Sequence, residues 1–446
     1  MNLRKAVYFA ILRLRGQALG PYFKRIWREF QEGIPPDTTK KSLVQILEHC
    51  KQSVPYYGEV MHRHGDSFRD DPAEYLRHFP ILTKDIIRSR FDDLKSKDLD
   101  RRKWNFNTSG GSTGEPIKFI QDWEYSVKSG AIKLLYSTII GREIGERELY
   151  LWSAARYIGN EKRGLKFHLI NKLTNTSFMS VFRMTPEQMR TNIETINAKR
   201  PKLLVAYATG LYELAKFAEQ KGLEVFPPES IITSAATLYP VMREKIEKVF
   251  QCPVFNRYGS REVGDIACER PGFQGLWVPP WGHYVEIVDD EGNRVPDGSP
   301  GDILVTSLIN YAMPLIRYKI EDQGILSPGK SGQDNQPGQV FMEVLGRSLD
   351  IFVNKNGTLV STGHFMPLLY FRDWIQKYQV IQKSHSRIVF RIVKGDSDPK
   401  PGELEELAAK TNLIMGSDCE TIFEFTDEIS PPPSGKHRFL ISEIPR

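Results

Sequence analysis

The sequence predicts an α/β fold: a large N-terminal domain of mainly parallel sheets plus a β-barrel-like lobe, joined by a hinge to a small C-terminal α+β domain. Through the middle of the chain, short apolar runs alternate with helical segments, which is typical of a parallel sheet covered by helices. From about residue 282 the apolar runs are separated by Gly, Pro, Asn and Asp, which favours antiparallel strands. The 446 residues also exceed the roughly 250–300 that one core organises.

The predicted elements place the domain boundary between residues 349 and 350. Residues 1–100 form the helical N-terminal part of the large domain, residues 282–349 its strand-rich lobe, and residues 350–446 the small mobile domain. Thr185 and Pro186 mark a helix start, because threonine caps a helix and proline fits its first position. Strands are predicted at 148–153, 203–207, 230–234, 254–258, 283–288, 302–307, 340–345, 378–382, 388–393 and 421–425, and helices at 121–140, 210–220, 240–250 and 403–415.

Positive charge is concentrated at the start of the chain. Seven of the 61 basic residues lie within residues 1–28, which contain no acidic residue, and the other 54 nearly balance 55 acidic residues. The body of the protein therefore lacks the basic excess that nucleic-acid binding needs. The apolar run from Ala6 to Leu12 is too short to span a bilayer and does not resemble a signal peptide. We expect a cytoplasmic protein whose first helix packs on the large domain, with peripheral contact to anionic lipid as the alternative.

The cysteines Cys50, Cys252, Cys268 and Cys419 are far apart in the sequence and form no C-x-x-C pair. This usage fits free thiols in a reducing compartment. The spacing of Cys252, Cys268 and His283 matches no recognised zinc-ligand pattern.

A loop at residues 107–116, Asn-Thr-Ser-Gly-Gly-Ser-Thr-Gly-Glu-Pro, has the composition of a phosphate-binding loop. Its glycines let the backbone approach a phosphate closely, and its N–H groups and hydroxyls can donate to phosphate oxygens. A Walker loop would continue with Gly-Lys-Ser/Thr, but Gly114 is followed by Glu115 and Pro116. If this loop binds ATP, the lysine must come from elsewhere in the chain.

Further polar motifs follow predicted strands, where open α/β sheets bind their ligands. Tyr-Gly-Ser-Arg-Glu at 258–262 ends in a carboxylate suited to Mg²⁺, and Arg-Tyr-Lys-Ile-Glu-Asp at 317–322 ends in one suited to ribose hydroxyls. Gly-Arg-Ser-Leu-Asp lies at 346–350, and Ser-Gly-Lys lies at 434–436. Taken singly, each motif also fits a structural role: a turn at Tyr258, a loop cap at Asp322, a solvent-exposed Lys436.

Together and in this order, the motifs resemble those of the adenylate-forming superfamily of acyl-CoA synthetases and adenylation domains. The resemblance runs from Thr108 to Arg438. Within the superfamily, the chain resembles the phenylacetate–CoA ligase-like group and most of all the CapK-type proteins of capsular polysaccharide biosynthesis. The phrases Tyr-Gly-Ser-Arg-Glu-Val-Gly-Asp and Pro-Ser-Gly-Lys-His-Arg-Phe carry that narrower likeness.

The resemblance implies a role for each motif. Lys436, Glu262 and Arg347 would be catalytic, with Glu262 as the Mg²⁺ ligand, and Asp350 would be the hinge. The implied ATP-binding residues are Thr108, Ser109, Gly110, Gly111, Ser112, Thr113, Gly114, Ser234, Ala235, Ala236, Thr237, Tyr258, Gly259, Asp322 and Arg347.

The resemblance also implies an AMP-forming acid–thiol or acid–amine ligase. A carboxylic acid would react with ATP to give an acyl-adenylate and pyrophosphate, and the acyl group would then pass to coenzyme A. One alternative acceptor is an amine, giving an amide on a sugar or amino acid in surface polysaccharide biosynthesis. Another alternative is a non-catalytic, nucleotide-binding scaffold. The expected pocket residues for the acid are Tyr207, Thr209, Leu211, Trp281 and His283.

Overall fold

The computed structural model describes residues 3–14, 18–109, 117–152, 165–180, 185–328, 337–347, 352–356, 359–360, 365, 368–369, 372, 374–395, 397–429 and 439–444. The chain divides into two compact units. Unit 1 comprises Met1–Leu238 and Lys245–Val344, and unit 2 comprises Tyr239–Glu244 and Leu345–Arg446. The division near residue 345 lies close to the predicted domain boundary, and the roles assigned to the two domains stay a prediction.

The N-terminal part of unit 1 is helical. Two of its helices have a side-chain N-cap: Asp71 accepts from the backbone N–H of Glu74, and Thr83 from that of Ile86. Short 3₁₀ turns lie at Ser67–Arg69, Leu76–His78 and Leu99–Arg101. The α-helices are α1 Leu3–Leu14, α2 Leu19–Glu32, α3 Thr38–Ser53, α4 Pro55–His64, α5 Pro72–Tyr75 and α6 Lys84–Ser89.

An antiparallel hairpin follows, formed by β1 (Trp104–Thr108) and β2 (Lys118–Asp122). It brackets the glycine-rich loop. Asp122 then caps α7 (Trp123–Ile139) by accepting from the N–H of Tyr125. The side chain that ends the hairpin therefore also starts the helix behind it.

A single open sheet organises unit 1, and its described strands run in the order β10-β11-β12-β13-β9-β8-β7-β6-β5-β3-β4. The pairs from β7 to β4 are parallel, as predicted. The strands are β3 Glu148–Trp152, β4 Thr176–Ser180, β5 Leu203–Tyr207, β6 Ser230–Ser234, β7 Val254–Ser260, β8 Gly264–Cys268, β9 Leu276–Val278, β10 His283–Val288, β11 Pro300–Ser307, β12 Tyr318–Leu326 and β13 Gln339–Arg347. The helices of this part are α8 Leu165–Thr174, α9 Pro186–Lys199, α10 Ala208–Gln220 and α11 Pro240–Phe250.

The rest of this sheet is antiparallel. Strands β7, β8 and β9 pair antiparallel, as do β10, β11 and β12. Residues 282–349 contribute β10 to β13, and their assignment as a separate lobe stays a prediction. The described strands leave the sheet open, with β10 at one edge and β4 at the other, so the predicted barrel-like closure is not seen among them.

Two apolar clusters hold unit 1 together. One packs helices α3 to α6 against the antiparallel half, around Tyr57, Phe79 and Tyr318. The other packs α2 and α7 against β3, β5 and β6 of the parallel half and against Trp277 of β9 in the antiparallel half. The two sets of helices therefore cover different parts of the sheet, and the second cluster spans the junction between its halves.

Unit 2 is a small α+β domain, as predicted. Its sheet has the order β18-β17-β16-β19, and helix α12 (Glu403–Met415) ends at Gly416, whose φ of 114° suits glycine. Arg372 is paired with Glu403 at 2.8 Å and with Glu406 at 3.0 Å. The strands are β14 Phe352–Val353, β15 Leu359–Val360, β16 Ile375–Ser384, β17 Arg387–Lys394, β18 Glu420–Phe425 and β19 Leu440–Ser442.

All four cysteines are buried and free, as their spacing predicts. Among the described residues, no group of three or more His, Cys, Asp and Glu side chains could hold a metal ion. No helix in the described part of the chain is both long and apolar enough to cross a membrane.

Candidate active site

Two residues from separate motifs meet at the site. The Tyr258 hydroxyl, on β7, donates a hydrogen bond of 2.7 Å to Oδ2 of Asp322, on β12. The Tyr258 ring stands edge-on to Phe341, with 5.7 Å between centroids. These residues are 64 positions apart in the chain. The fold therefore joins the two side chains that the resemblance assigns to adenosine and ribose.

Gly259 lets the strand carry Tyr258 into this position. The pairing of β7 with β8 shifts register between Tyr258 and Gly259, and such a bulge re-aims the neighbouring side chain. A Cβ at Gly259 would lie 2.4 Å from the carbonyl oxygen of Gly264. Because the two backbones approach so closely, only glycine fits at position 259. Close packing therefore explains why this residue is glycine.

Glu262 follows directly after β7 and is only 8% exposed. Its carboxylate faces the hydroxyl of Tyr318. Burial, reinforced by the negative charges of Glu262, Glu321 and Asp322, raises the pKa of Tyr318. The Tyr318 hydroxyl is buried with no hydrogen-bond partner among the described residues. Three carboxylates therefore act on the neutral hydroxyl of Tyr318.

The donor set fits a magnesium ion that arrives with ATP. Mg²⁺ is usually bound by one or two protein carboxylates together with substrate phosphates and water. Glu262 offers one buried carboxylate, which suffices for that mode.

Gln121 ties the glycine-rich loop to the Glu262 segment. From β2, its Nε2 donates to the carbonyl of Arg261 at 3.0 Å and to that of Glu262 at 3.2 Å. Its Oε1 accepts from Nδ2 of Asn107, on β1, at 3.1 Å. One buried amide thus fixes the hairpin against the backbone of the proposed magnesium ligand. The sequence reasoning missed Gln121, although a glutamine inside a buried apolar strand was a usable signal.

Only the base of the glycine-rich loop lies within the described residues. Ser109 closes it: its N–H donates to the carbonyl of Ile117 at 3.0 Å, and its Oγ accepts from the Ile117 N–H at 2.9 Å. The backbone N–H of Thr108 donates to Oδ1 of Asn107. Ser109 therefore has a structural partner in addition to its predicted ATP contact. Gly110, Gly111, Ser112, Thr113 and Gly114 lie outside the described residues.

The segment Ser234–Thr237 leaves the carboxyl end of β6, where a parallel sheet binds ligands. Ser234 is buried, whereas Ala235, Ala236 and Thr237 are half-buried. Ala235 has a φ of 68°, in the left-handed region that alanine rarely adopts. Such strain is typical of functional turns. The adenine contact predicted for this segment stays a prediction.

The predicted acyl-pocket residues are built into apolar packing. Tyr207, at the end of β5, lies with its ring centroid 4.4 Å from that of Trp152, at the end of β3. Thr209 and Leu211 follow in α10, where Leu211 is fully buried. Trp281 is buried against the N-terminal helices, and its indole N–H donates to Oε2 of Glu29 at 2.6 Å.

His283 is buried and neutral. Its Nε2 lies 2.8 Å from the carbonyl oxygen of Val263, and burial lowers the pKa of His283 to about 4. Because a carbonyl only accepts, Nε2 carries the proton and Nδ1 is an acceptor. Nδ1 is buried with no partner among the described residues. His283 is therefore held by the backbone next to Glu262, and one acceptor atom is left unused.

Three predicted site residues lie wholly or partly outside the described residues. Lys436 and Asp350 lie outside the described residues, and only the backbone of Arg347, at the end of β13, lies within them. Their roles stay predictions. Arg317, the first residue of the motif at 317–322, has a structural role. It donates to the carboxylate of Glu286 and to the carbonyls of Phe79 and Gly292.

Known proteins share sequence with this chain. Residues 352–443 match the family of the CapK C-terminal domain. Protein CapK of Staphylococcus aureus is 25% identical over 409 residues, which are 90% of this chain and 87% of that protein. Phenylacetate-coenzyme A ligase of Pseudomonas putida is 22% identical over 349 residues, covering 75% of each chain.

Solved structures share its fold. A 2-hydroxyisobutyryl-CoA ligase in the postadenylation state, in complex with R3-HIB-AMP, has a TM-score of 0.71 at 14% identity and covers 91% of this chain and 89% of its own. This chain has the adenylate-forming ligase fold. The predicted resemblance is thereby confirmed. The amide bond synthetase McbA from Marinactinospora thermotolerans also matches, with a TM-score of 0.50 at 18% identity, covering 72% of this chain and 66% of its own.

Proposed function

We propose that this chain is an AMP-forming ligase that activates a carboxylic acid with ATP and transfers the acyl group to coenzyme A. The observation that carries the proposal is the Tyr258–Asp322 hydrogen bond, together with the buried Glu262 carboxylate that faces Tyr318 on the strand of Asp322. The motif order and the fold of the relatives support the same reading. The first step would release pyrophosphate and leave an acyl-adenylate.

The chemistry of the first step requires positive charge. The acid and ATP are both anions, so they must be brought in line and their repulsion reduced. Mg²⁺, when bound, would offset the phosphate charge, with Glu262 as its protein ligand. Lys436 is the cation that we propose for the α-phosphate and the acid carboxylate, because the glycine-rich loop has no lysine of its own.

The remaining residues bind and orient the nucleotide. Asp322 can accept hydrogen bonds from the two ribose hydroxyls, and the Tyr258 hydroxyl holds that carboxylate in place. The Tyr258 ring is available to the adenosine. Gln121 keeps the loop base and the Glu262 backbone in register. Orientation of this kind lowers the barrier by removing translational and rotational freedom beforehand.

The acceptor has two candidates. Similarity to phenylacetate-coenzyme A ligase supports coenzyme A. The likeness to CapK and the fold shared with an amide bond synthetase support an amine, giving an amide. A reaction with each acceptor, followed by mass spectrometry of the product, separates a thioester from an amide.

The test of the proposed function is acid-dependent pyrophosphate release. A panel of aromatic, aliphatic and hydroxy acids is supplied with ATP and Mg²⁺, first without an acceptor and then with coenzyme A or amines. We expect release of pyrophosphate with one chemical class of acid and an increase when the correct acceptor is added. Tight ATP binding without pyrophosphate release for any acid would instead support the non-catalytic scaffold.

A further inference from the structure

Helix α1 presents an apolar stripe to solvent. Leu3, Val7 and Leu14 are 68%, 39% and 88% exposed, and Ala10 is exposed as well. Their spacing of four, three and four residues places them on one face of the helix. A surface helix normally turns its apolar face to the core, so the exposed stripe of α1 is an additional apolar face that is turned to solvent.

The inner face of α1 is already anchored. Lys5 pairs with Glu143 at 3.0 Å, Leu12 is buried, and the Phe9 ring stacks on Phe23. Because these contacts fix the rotation of the helix, the apolar stripe cannot turn inward without breaking them. The stripe is therefore a fixed surface feature of unit 1.

Cations border the stripe on both sides. At about 100° per residue, Arg4 lies about 100° from Leu3 around the helix axis, and Arg13 lies about 80° away on the other side. Both arginines are exposed. An apolar strip between arginines suits the boundary between lipid headgroups and acyl chains, because the guanidinium groups can reach the phosphates.

The neighbouring helix α8 has exposed side chains of the same two kinds. It packs beside α1 and exposes Leu169 at 56%, together with Lys172 and His168. Neither helix contains an acidic residue. The exposed charged side chains described on these two helices are thus all basic, and they lie among exposed apolar side chains.

We infer that α1 and α8 form a docking surface for membranes that carry anionic lipid. The charge of residues 1–28 decides between occupants: a second copy would bring two purely basic segments together, and their repulsion would oppose pairing. An anionic bilayer complements both the charge and the apolar stripe. This inference concerns where the protein acts and does not depend on the proposed ligase activity.

Vesicle co-sedimentation of the full chain tests the inference. The vesicles contain phosphatidylcholine alone, or phosphatidylcholine and phosphatidylglycerol in equal amounts. We expect binding to the mixed vesicles that weakens with added salt. Binding to both compositions alike, or to neither, would overturn the inference.

Two sets of variants separate the contributions. Leu3→Gln combined with Val7→Gln and Leu14→Gln should weaken binding more than about tenfold, because the apolar contact is lost. Arg4→Gln and Arg13→Gln should each weaken it about fivefold at low salt.

The matched controls are Leu413→Gln, at a leucine 86% exposed on α12, and Arg63→Gln, at an exposed arginine of α4. Both should bind as the unaltered protein does. Because all substituted side chains are exposed, thermal unfolding should be unchanged. If the α1 variants bind vesicles normally but change the oligomeric state in light scattering, the stripe is a self-association face and the inference is wrong.

Discussion

The residues proposed for the nucleotide side and those proposed for the acyl side are held in different ways. The proposed nucleotide side, defined by Asn107, Gln121, Tyr258, Glu262 and Asp322, includes hydrogen bonds between side chains and to backbone. The proposed acyl side, defined by Tyr207, Thr209, Leu211, Trp281 and His283, is held mainly by burial and ring contacts, with one hydrogen bond each from Trp281 and His283. Hydrogen bonds fix directions, which a common nucleotide requires, whereas packing fixes volume and shape. We therefore expect residue types to identify a nucleotide side more readily than an acyl side.

The largest effect should come from Lys436, which would complete the nucleotide side. Lys436→Ala should lower adenylate formation by about 10²–10³, as loss of a charge-stabilising group does, while a presynthesised adenylate is still consumed. Rapid-quench assays of the two half-reactions check this. Lys410→Ala, at a lysine paired with Glu406 on α12, is the control and should leave both steps intact. Equal losses in both half-reactions would contradict the role proposed for Lys436 in adenylate formation.

Glu262→Gln tests the proposed metal ligand with little change in shape. The neutral amide should raise the Mg²⁺ concentration needed for half-maximal pyrophosphate release by at least about tenfold. It should lower the maximal rate by about 10². Glu291→Gln, at an exposed glutamate of the same unit, is the matched control. An unaltered magnesium dependence in Glu262→Gln would show that other residues bind the metal ion.

Asp322→Asn tests the ribose contact. Losing hydrogen bonds to a charged group should raise the KM for ATP about tenfold or more. The same variant should lose the preference for ATP over 2′-deoxy-ATP. Tyr258→Phe, which removes the hydroxyl bound to Asp322, should show a smaller change of the same kind. If Asp322→Asn discriminates the two nucleotides as well as the unaltered enzyme does, the ribose assignment is incorrect.

His283 provides a stability test on the acyl side. Burial lowers its pKa from 6.5 to about 4, so between these values the unfolded chain binds the proton better. The stability contributed by neutral His283 is therefore full above the unfolded pKa and is lost as pH falls toward the folded pKa. From neutral pH to about pH 5, the loss should be about 2 kcal/mol.

Denaturant unfolding of His283→Gln measures this contribution, because glutamine can still donate to Val263 but does not titrate. Its unfolding free energy should fall less steeply with acid than that of the unaltered protein. The control is His62→Gln, at an exposed histidine of α4. Parallel pH profiles for His283→Gln and the unaltered protein would show that His283 is not buried as a neutral side chain.

The same contrast explains which features of the fold and of the candidate site could be predicted from the sequence. Periodicity and turn residues located β6 and α11 at their observed ends, because β6 is a short buried run and α11 is an amphipathic segment that begins at a proline. The resemblance assigned Tyr258 and Asp322 to the same nucleotide, and the structure joins them by a hydrogen bond across 64 residues. The role of Gln121 was missed, since its partners Arg261 and Glu262 come from a distant segment that only the tertiary fold brings close. The outward direction of the α1 stripe could not be predicted either. Periodicity shows that a helix has an apolar face, but it does not show whether that face is turned to the core or to solvent.

The most direct test follows ATP labelled in its α-phosphate, with a small-molecule extract of the source cells as the supply of acid. The account predicts label in AMP and in an acyl-adenylate, dependent on the extract. Both products should be strongly reduced in Glu262→Gln and Lys436→Ala and unchanged in Glu291→Gln. Label appearing in ADP, or in AMP at equal rates in all four proteins, would contradict acid activation at this site.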